Sequence, residues 1–544
     1  MKQEWKPIIY DTTLREGFQT PGGIGGSIDE RVYAANLISK YANWVEIGMP
    51  ANDVDFEIIS KIKQSFNENQ RNAGIAVLCR NSTYDINRAV DVILDYHSSL
   101  AHLFIGTSEE HRNNRFKGTW DEQKYSDNIG KMVEYAAEQN FTRIMFSPED
   151  SYRTFAESRA SFFMFVDSAI RGYNKGSQKS GRNEKLILNF PDTVGYSTIS
   201  EFKSMISEIK SRYGDSIEIS VHGHNDSGTS IQQAVEAYID NDANWLQTTF
   251  GGLGERNGIA STEGVIAILD ERELIEGNFS DLVPSTVAIV GALGKTVPSE
   301  AIVAGRRVNV STAGIHTDLV MKDIMTYHIN GNKYGAEPIL EFGPTSGANQ
   351  IIPVLEKIRI KKEKSEIVEF TNRIKFECNR NKRNFTETDI MYEAILFFGK
   401  MKCPLIIDDY TVITRKKKQP FTEIEGRYGG NEFREVHTEN GIVETILGLA
   451  EKITGKGTMK MVYFKPEVIP VIPNEYLTWE NGEFPAVPVG LDVHSDLRVR
   501  TGVKNGDGIV YYGFASSEDS FTTIIDSVID AVVKMTTIQH WMGK

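Results

Sequence analysis

His222-Gly223-His224 sets two imidazoles two positions apart, and Glu16, directly after Arg15, offers a carboxylate beside a fixed positive charge. On an extended strand alternate side chains point the same way, so His222 and His224 can reach one divalent ion while Gly223 keeps clear. Two histidines and one carboxylate leave coordination positions open, which catalysis requires and a closed structural site does not. A His-x-His pair also serves packing on many strands, and Arg15 beside Glu16 can be a surface ion pair. A strand end serving a site accounts for both segments, Asp11-Thr12-Thr13-Leu14-Arg15-Glu16-Gly17 and His222-Gly223-His224-Asn225-Asp226.

The elements that must position these residues follow from periodicity. From Pro7 to about Leu269, short β-rich runs alternate with amphipathic helical stretches. Strands are predicted at 7–13, 44–49, 75–79, 101–106, 143–147, 186–190, 217–222 and 245–250, and helical spacing covers 29–41, 53–70, 123–139, 200–212 and 230–239. Eight β–α units predict an α/β fold, a TIM (β/α)8 barrel, with its active site at the carboxyl ends of the strands. The unusual polar residues fall there: Asp11 to Glu16 after the first run, Ser147-Pro148-Glu149-Asp150 after the fifth, Asp192-Thr193 after the sixth, His222 to Asp226 after the seventh and Gly251 to Asn257 after the eighth. Gly251-Gly252-Leu253-Gly254 lacks the lysine of a phosphate loop and reads as tight backbone packing.

Beyond the barrel (1–280), the pattern predicts a mainly helical accessory subdomain (281–400) containing Gly314-Ile315-His316 and Tyr327. A C-terminal α/β domain (401–544) follows, with β-like segments 405–415, 459–464 and 508–514, helices 441–453 and 520–535, and an irregular proline-bearing loop 466–489. The 544 residues, 40% of them apolar, suffice for more than one core. A net charge of −14 argues against nucleic acid or anionic membrane as the main partner, and Lys361-Lys362 and 415–418 read as solvated faces. Met1-Lys2-Gln3-Glu4-Trp5-Lys6 has no apolar signal core, and no run of about eighteen apolar residues occurs, so a cytoplasmic location is expected. Cys79, Cys378 and Cys403 fit neither a zinc spacing nor a disulfide set and read as structural thiols.

In order along the chain, Asp11 to Gly17, Glu46-Ile47-Gly48-Met49-Pro50, Phe146 to Asp150, Pro191-Asp192-Thr193-Val194-Gly195-Tyr196, His222 to Asp226, Gly254-Glu255-Arg256-Asn257-Gly258 and Gly314 to Tyr327 resemble one family. These are the acyl-CoA-dependent 2-oxoacid condensing enzymes, the group of 2-isopropylmalate, citramalate and homocitrate synthases on a DRE-TIM metallolyase-like barrel. The resemblance implies a divalent metal (Mg, Mn or Zn) on Glu16, His222 and His224, and Arg15 polarising the ketone. It also implies substrate contacts from Gln19, His111, Ser147 and Thr193, an active-site acid at Glu149, and proton handling by His316 with Tyr327. Acetyl-CoA is the implied co-substrate, and a homodimer whose His316/Tyr327 segment completes the partner's site is the implied assembly.

Taken alone, His316 and Tyr327 could simply pack a helical subdomain, Glu149 and Asp150 could start the next helix, and Thr193 could satisfy backbone groups in a turn. For the substrate, Glu16 and the Gly254-to-Gly258 segment resemble homocitrate synthases, but Met145 stands where those enzymes carry an arginine for a distal carboxylate. Thr107 to His111, Gln19 to Gly22 and Asn189 to Asp192 look more like 2-isopropylmalate synthase, favouring 2-oxoisovalerate, with pyruvate the closest competitor. Phe18 stands at a usually polar position, and the segment Gly343 to Gln350 lacks its usual basic residues. The segment 513–535 weakly resembles a leucine-binding regulatory domain. A carbon–carbon lyase or aldolase, and a non-catalytic oxoacid sensor, are the other readings.

Overall fold

The structure is a computed structural model that describes all residues except 1–5, 24, 117–119, 241, 309, 312–328, 337–338, 415–418, 439, 456–458, 471–494, 518 and 544. Eight parallel strands form a closed barrel in sequence order: β1 (Ile8–Asp11), β2 (Trp44–Glu46), β3 (Gly74–Arg80), β4 (Ser99–Gly106), β5 (Arg143–Glu149), β6 (Ile187–Asp192), β7 (Glu218–Gly223) and β8 (Trp245–Thr248). β8 pairs back onto β1, with Ile8 opposite Trp245 and Asp11 opposite Thr248. Burial on both faces explains the near-continuous apolar runs: six of the seven residues of β3 are buried.

Alternation along the strands sorts the barrel interior into layers. Tyr10, Ala76, Leu100, Met145, Ile187 and Trp245 pack together as an apolar layer. Two residues further on, the same faces carry Leu78, His102, Ser147, Asn189 and Gln247, a largely polar layer nearer the carboxyl ends. The other face of each strand packs against the helices, as Ile75, Val77 and Cys79 do on β3. Helix starts follow local chemistry: Ser27 with Glu30 and Thr198 with Glu201 form capping boxes on the helices Ile28–Ile38 and Ile199–Tyr213. The helices Glu122–Glu138 and Arg159–Ser180 approach at Gly172, where a Cβ would lie 2.1 Å from the carbonyl oxygen of Gly130.

Contacts divide the chain into two compact units, residues 1–309 with 327–338, and residues 310–326 with 339–544. The span 281–400 contributes to both. In the second unit, β9 (Val310–Ser311), β10 (Ile339–Phe342) and β11 (Phe385–Thr386) form one small sheet, with the helices Ala348–Lys357, Lys364–Arg380 and Glu387–Gly399. Two β-β-β-α modules follow. The first is β12 (Leu405–Ile413), β13 (Phe421–Tyr428), β14 (Asn431–His437) and the helix Ile442–Thr454; the second is β15 (Lys460–Pro470), β16 (Ser495–Lys504), β17 (Val510–Ser517) and the helix Ser520–Met542. Ile351, Phe370, Ile390, Leu405, Ile446 and Val532 belong to one continuous core in this unit.

Sequence patterning misses β13 and β14, because one face of each is charged and solvated and reads as a polar stretch. Gly429 and Gly430, with φ of 57° and 87°, make the two-residue hairpin turn between them. The expected loop from Pro466 begins instead as strand. Among the described residues β15 pairs only with β16, and an edge strand tolerates proline because one row of its N–H groups needs no partner. The rest of that loop lies outside the described residues. Cys79, Cys378 and Cys403 are free thiols, the first two buried, and Lys361 and Lys362 are exposed.

Candidate active site

Glu46, the last residue of β2, is fully buried and holds three groups. Its Oε2 accepts the Arg15 Nε–H at 2.7 Å, and its Oε1 accepts the Tyr10 hydroxyl at 2.9 Å and lies 2.6 Å from His102 Nδ1. His102 Nε2 lies 2.7 Å from Ser147 Oγ, which also accepts the Asn189 amide at 2.7 Å. A chain of hydrogen bonds therefore crosses four strands of the barrel, from Arg15 to Asn189. Burial alone pushes the Glu46 carboxyl up, and the Arg15 and His102 groups beside it more than reverse this, holding it well below the usual carboxylate range.

Arg15 also ion-pairs through Nη1 with Glu16, which is 2% exposed. Burial pulls the guanidinium down, and Glu46 and Glu16 more than offset it, so Arg15 stays charged. The Gln19 amide, oriented to donate, lies 3.1 and 3.0 Å from the two Glu16 oxygens. Across the barrel, His222 and His224 are both buried and turn their Nε2 atoms toward each other at 3.3 Å. Gln247 Oε1 lies 2.9 Å from His222 Nδ1. An amide oxygen only accepts, so Nδ1 carries the proton and Nε2 presents its lone pair. Burial, then His224 and Arg15, hold His222 well below the usual histidine range; burial also lowers His224, against the opposing charge of Glu16.

Two neutral imidazoles with facing nitrogens suit a shared cation, and His224 Nδ1 is a buried atom without a hydrogen-bond partner. The donor set fits a divalent ion in its chemistry. Among the described residues no group of three or more His, Cys, Asp or Glu is gathered as a ready shell, because Glu16 faces Arg15.

The loops at this rim are tied to one another. Thr13 Oγ1 accepts the Phe250 N–H at 2.8 Å, Thr20 Oγ1 that of Gly254 at 3.0 Å, and Arg256 reaches both Asp226 (2.8 Å) and the Thr193 carbonyl (2.6 Å). At Gly258, φ is +78° and a Cβ would sit 1.7 Å from the Gly252 oxygen, so this segment packs backbone on backbone. Asp11 accepts from Thr13 N–H and the Thr262 hydroxyl; burial pushes its carboxyl up to about 7 despite these bonds.

Arg15, Glu16 and Gln19 thus stand together, and Ser147 joins them through Glu46 and His102. Thr193 Oγ1 accepts the Asp150 N–H at 2.9 Å, so it does satisfy backbone in a turn. Asp150, at φ 64°, precedes the helix Ser151–Glu157 without a side-chain capping bond and pairs with Arg153 instead. Glu149 ends β5 half-buried, its carbonyl accepting from Thr107. His111, on the helix Glu109–Phe116, lies over Gly106 at the end of β4. His316 and Tyr327 lie outside the described residues. Sequence reasoning gave no role to Glu46, His102, Asn189 or Gln247. Their signal is a polar residue two positions beyond an apolar one on a strand's interior face.

The HMGL-like family model matches residues 6–286. The chain belongs to the HMGL-like family. Among its curated relatives, 2-isopropylmalate synthase 1 of Caldanaerobacter subterraneus subsp. tengcongensis is 32% identical, over 71% of this chain and 94% of that one. A 2-isopropylmalate synthase of Crocosphaera subtropica is 27% identical over 97% of this chain and 95% of its own length. That of Pyrococcus furiosus is 29% identical over 82% and 87%. This member of the HMGL-like family is an enzyme, an acyltransferase of the 2-isopropylmalate synthase-like kind. Among the described residues of this HMGL-like chain, no helix is long and apolar enough to cross a membrane.

Proposed function

We propose that this HMGL-like enzyme condenses acetyl-CoA with an uncharged 2-oxoacid to give a 2-alkylmalate and free CoA, with 2-oxoisovalerate, which gives 2-isopropylmalate, as the reference substrate. The observation that carries the reading is the pair of facing His222 and His224 nitrogens, 3.3 Å apart, on the same barrel rim as the ion-paired Arg15 and Glu16. Met145 supports an uncharged substrate: it is fully buried in the apolar layer, its sulfur 3.2 Å from the Gln247 amide, and cannot pair with a distal carboxylate.

Glu16, His222 and His224 would hold a divalent ion, Mg, Mn or Zn, whose contribution is Lewis-acid polarisation of the keto group. The chain's own residues do the rest. Arg15, its plane set by Glu46 and Glu16, is a preorganised positive charge for the oxygen on which charge develops. Gln19 and Thr193 orient the oxoacid carboxylate, and His111 and Ser147 line its position. A base removes a proton from the acetyl methyl group; His316 with Tyr327, supplied by the partner of a homodimer, and Glu149 take this role. The carbanion attacks the keto carbon, the resulting oxyanion is protonated, and water hydrolyses the thioester, releasing CoA thiol and drawing the condensation forward.

The test is thiol release from acetyl-CoA by metal-supplemented protein with 2-oxoisovalerate, pyruvate, 2-oxobutyrate or 2-oxoglutarate, with Glu16→Ala as control. Release with 2-oxoisovalerate that is lost in the variant is the expected result. A preference for pyruvate or 2-oxoglutarate would make it a citramalate or homocitrate synthase. Silence across the panel, with cleavage of a 2-hydroxyacid instead, would make it a lyase.

A further inference from the structure

A cavity of about 250 Å³ opens at the carboxyl ends of the first four barrel strands, with Arg15 and Gln19 in its lining. Leu78 and Phe104 enter it from interior positions of β3 and β4, one and two alternations beyond the apolar layer. Ile58 and Ile62 on the helix Asp53–Glu68, both buried, also line it. Phe18 lies in its wall beneath the Arg31 guanidinium, 4.2 Å from the ring centroid. Apolar cavities of about 150 Å³ lined by Leu, Ile and Phe stay dry and admit benzene. This one is larger than an isopropyl group needs.

We propose that this cavity is a specificity pocket for an extended apolar side chain on the 2-oxoacid, four carbons or more and up to a phenyl ring, with Leu78, Phe104, Ile58 and Ile62 as its determinants. The inference rests on the reading above. A 2-oxoacid carries three groups at its reacting end: a keto oxygen facing Arg15, a carboxylate facing Gln19, and a side chain. Arg15 and Gln19 both border the cavity, so the side chain is the group left to enter it. The volume is far too small for the nucleotide part of CoA. Arg31 lies beside Asp55 in the same lining, and the two opposite charges give no net attraction for a second carboxylate.

The experiment measures kcat/KM for thiol release, and calorimetric binding to the full-length protein, over pyruvate, 2-oxobutyrate, 2-oxoisovalerate, 4-methyl-2-oxopentanoate, 2-oxohexanoate, phenylpyruvate and 2-oxoadipate. Leu78→Phe fills the pocket from a strand and Ile62→Phe from a helix. Each added methylene should raise kcat/KM about fourfold, as expected for burial of a CH2 group. Each filling variant should lower the ratio of 2-oxohexanoate to pyruvate efficiency at least tenfold. An optimum at 2-oxoisovalerate or below, or the best rate with 2-oxoadipate, overturns the proposal while leaving the condensation intact. So does a gain on replacing acetyl-CoA by butanoyl-CoA, which would assign the cavity to the acyl donor. Absence of thiol release with every oxoacid sinks the condensation instead, and the chain-length dependence of Kd then decides the pocket: tighter binding of longer acids, abolished by Leu78→Phe, supports it, and a flat series refutes it.

Discussion

At the scale of the residue, Arg15 depends on the more deeply buried of its two carboxylate partners. Glu46 is fully buried and also holds His102 and Tyr10, so its charge sets the guanidinium and the imidazole together. Glu46→Gln keeps the shape and removes the charge. Because misplacing a catalytic group by about 1 Å costs about 100-fold, kcat should fall by about that factor. The oxoacid Kd should change much less. An equal fall in affinity, or unfolding seen by circular dichroism, would reduce Glu46 to a structural group. Gln247 acts in the same way on the other side, fixing the proton of His222 on Nδ1. Gln247→Leu should weaken divalent-metal binding by about 10- to 100-fold, the usual effect of losing such an orienting partner. Unchanged metal stoichiometry and affinity in a dialysis titration would contradict the assignment of His222.

Elements in the second unit are joined by a buried ionic cluster. Lys534, on the helix Ser520–Met542, lies 2.5 Å from Asp389 and 2.5 Å from Asp530, and Arg383 donates to Asp389 at 2.9 Å. Burial raises the Asp389 carboxyl, and Lys534 and Arg383 more than reverse this, leaving it depressed. A depressed carboxylate contributes stability that is present above its unfolded value, about 4, and lost as pH falls. Lys534→Met leaves Asp389 short of a partner and should cost about 3–5 kcal/mol near pH 7. The difference from the parent chain in urea denaturation should narrow below about pH 4, as Asp389 protonates. A deficit independent of pH would mean that lost packing, not charge, is responsible. Adding Asp389→Asn to Lys534→Met should recover part of the loss.

For the whole molecule, the proposed homodimer with composite sites makes a sharp prediction. On that proposal Glu16→Ala and His316→Ala damage different halves of each site, so each variant alone should be inactive. Refolded together, they should regain turnover through the mixed dimers that pair one intact half from each chain. Dead mixtures whose mixed dimers are verified by mass would show that each chain completes its own site. The sequence determined the barrel by itself, because strand and helix periodicity are local and the eight predicted runs at 7–13 through 245–250 overlap all eight strands. It also placed Arg15 and Glu16 just after the first strand, and His222 and His224 around the end of the seventh, since their motifs are short. Only tertiary structure decided what these residues meet. Glu46 and His102 are 56 positions apart, and His102 and Ser147 are 45 apart, so their hydrogen bonds exist only once the barrel closes. The same holds for the cavity, whose walls come from four strand ends and two helices, and for β13 and β14, whose charged outer faces hide a strand until their inner faces find a core.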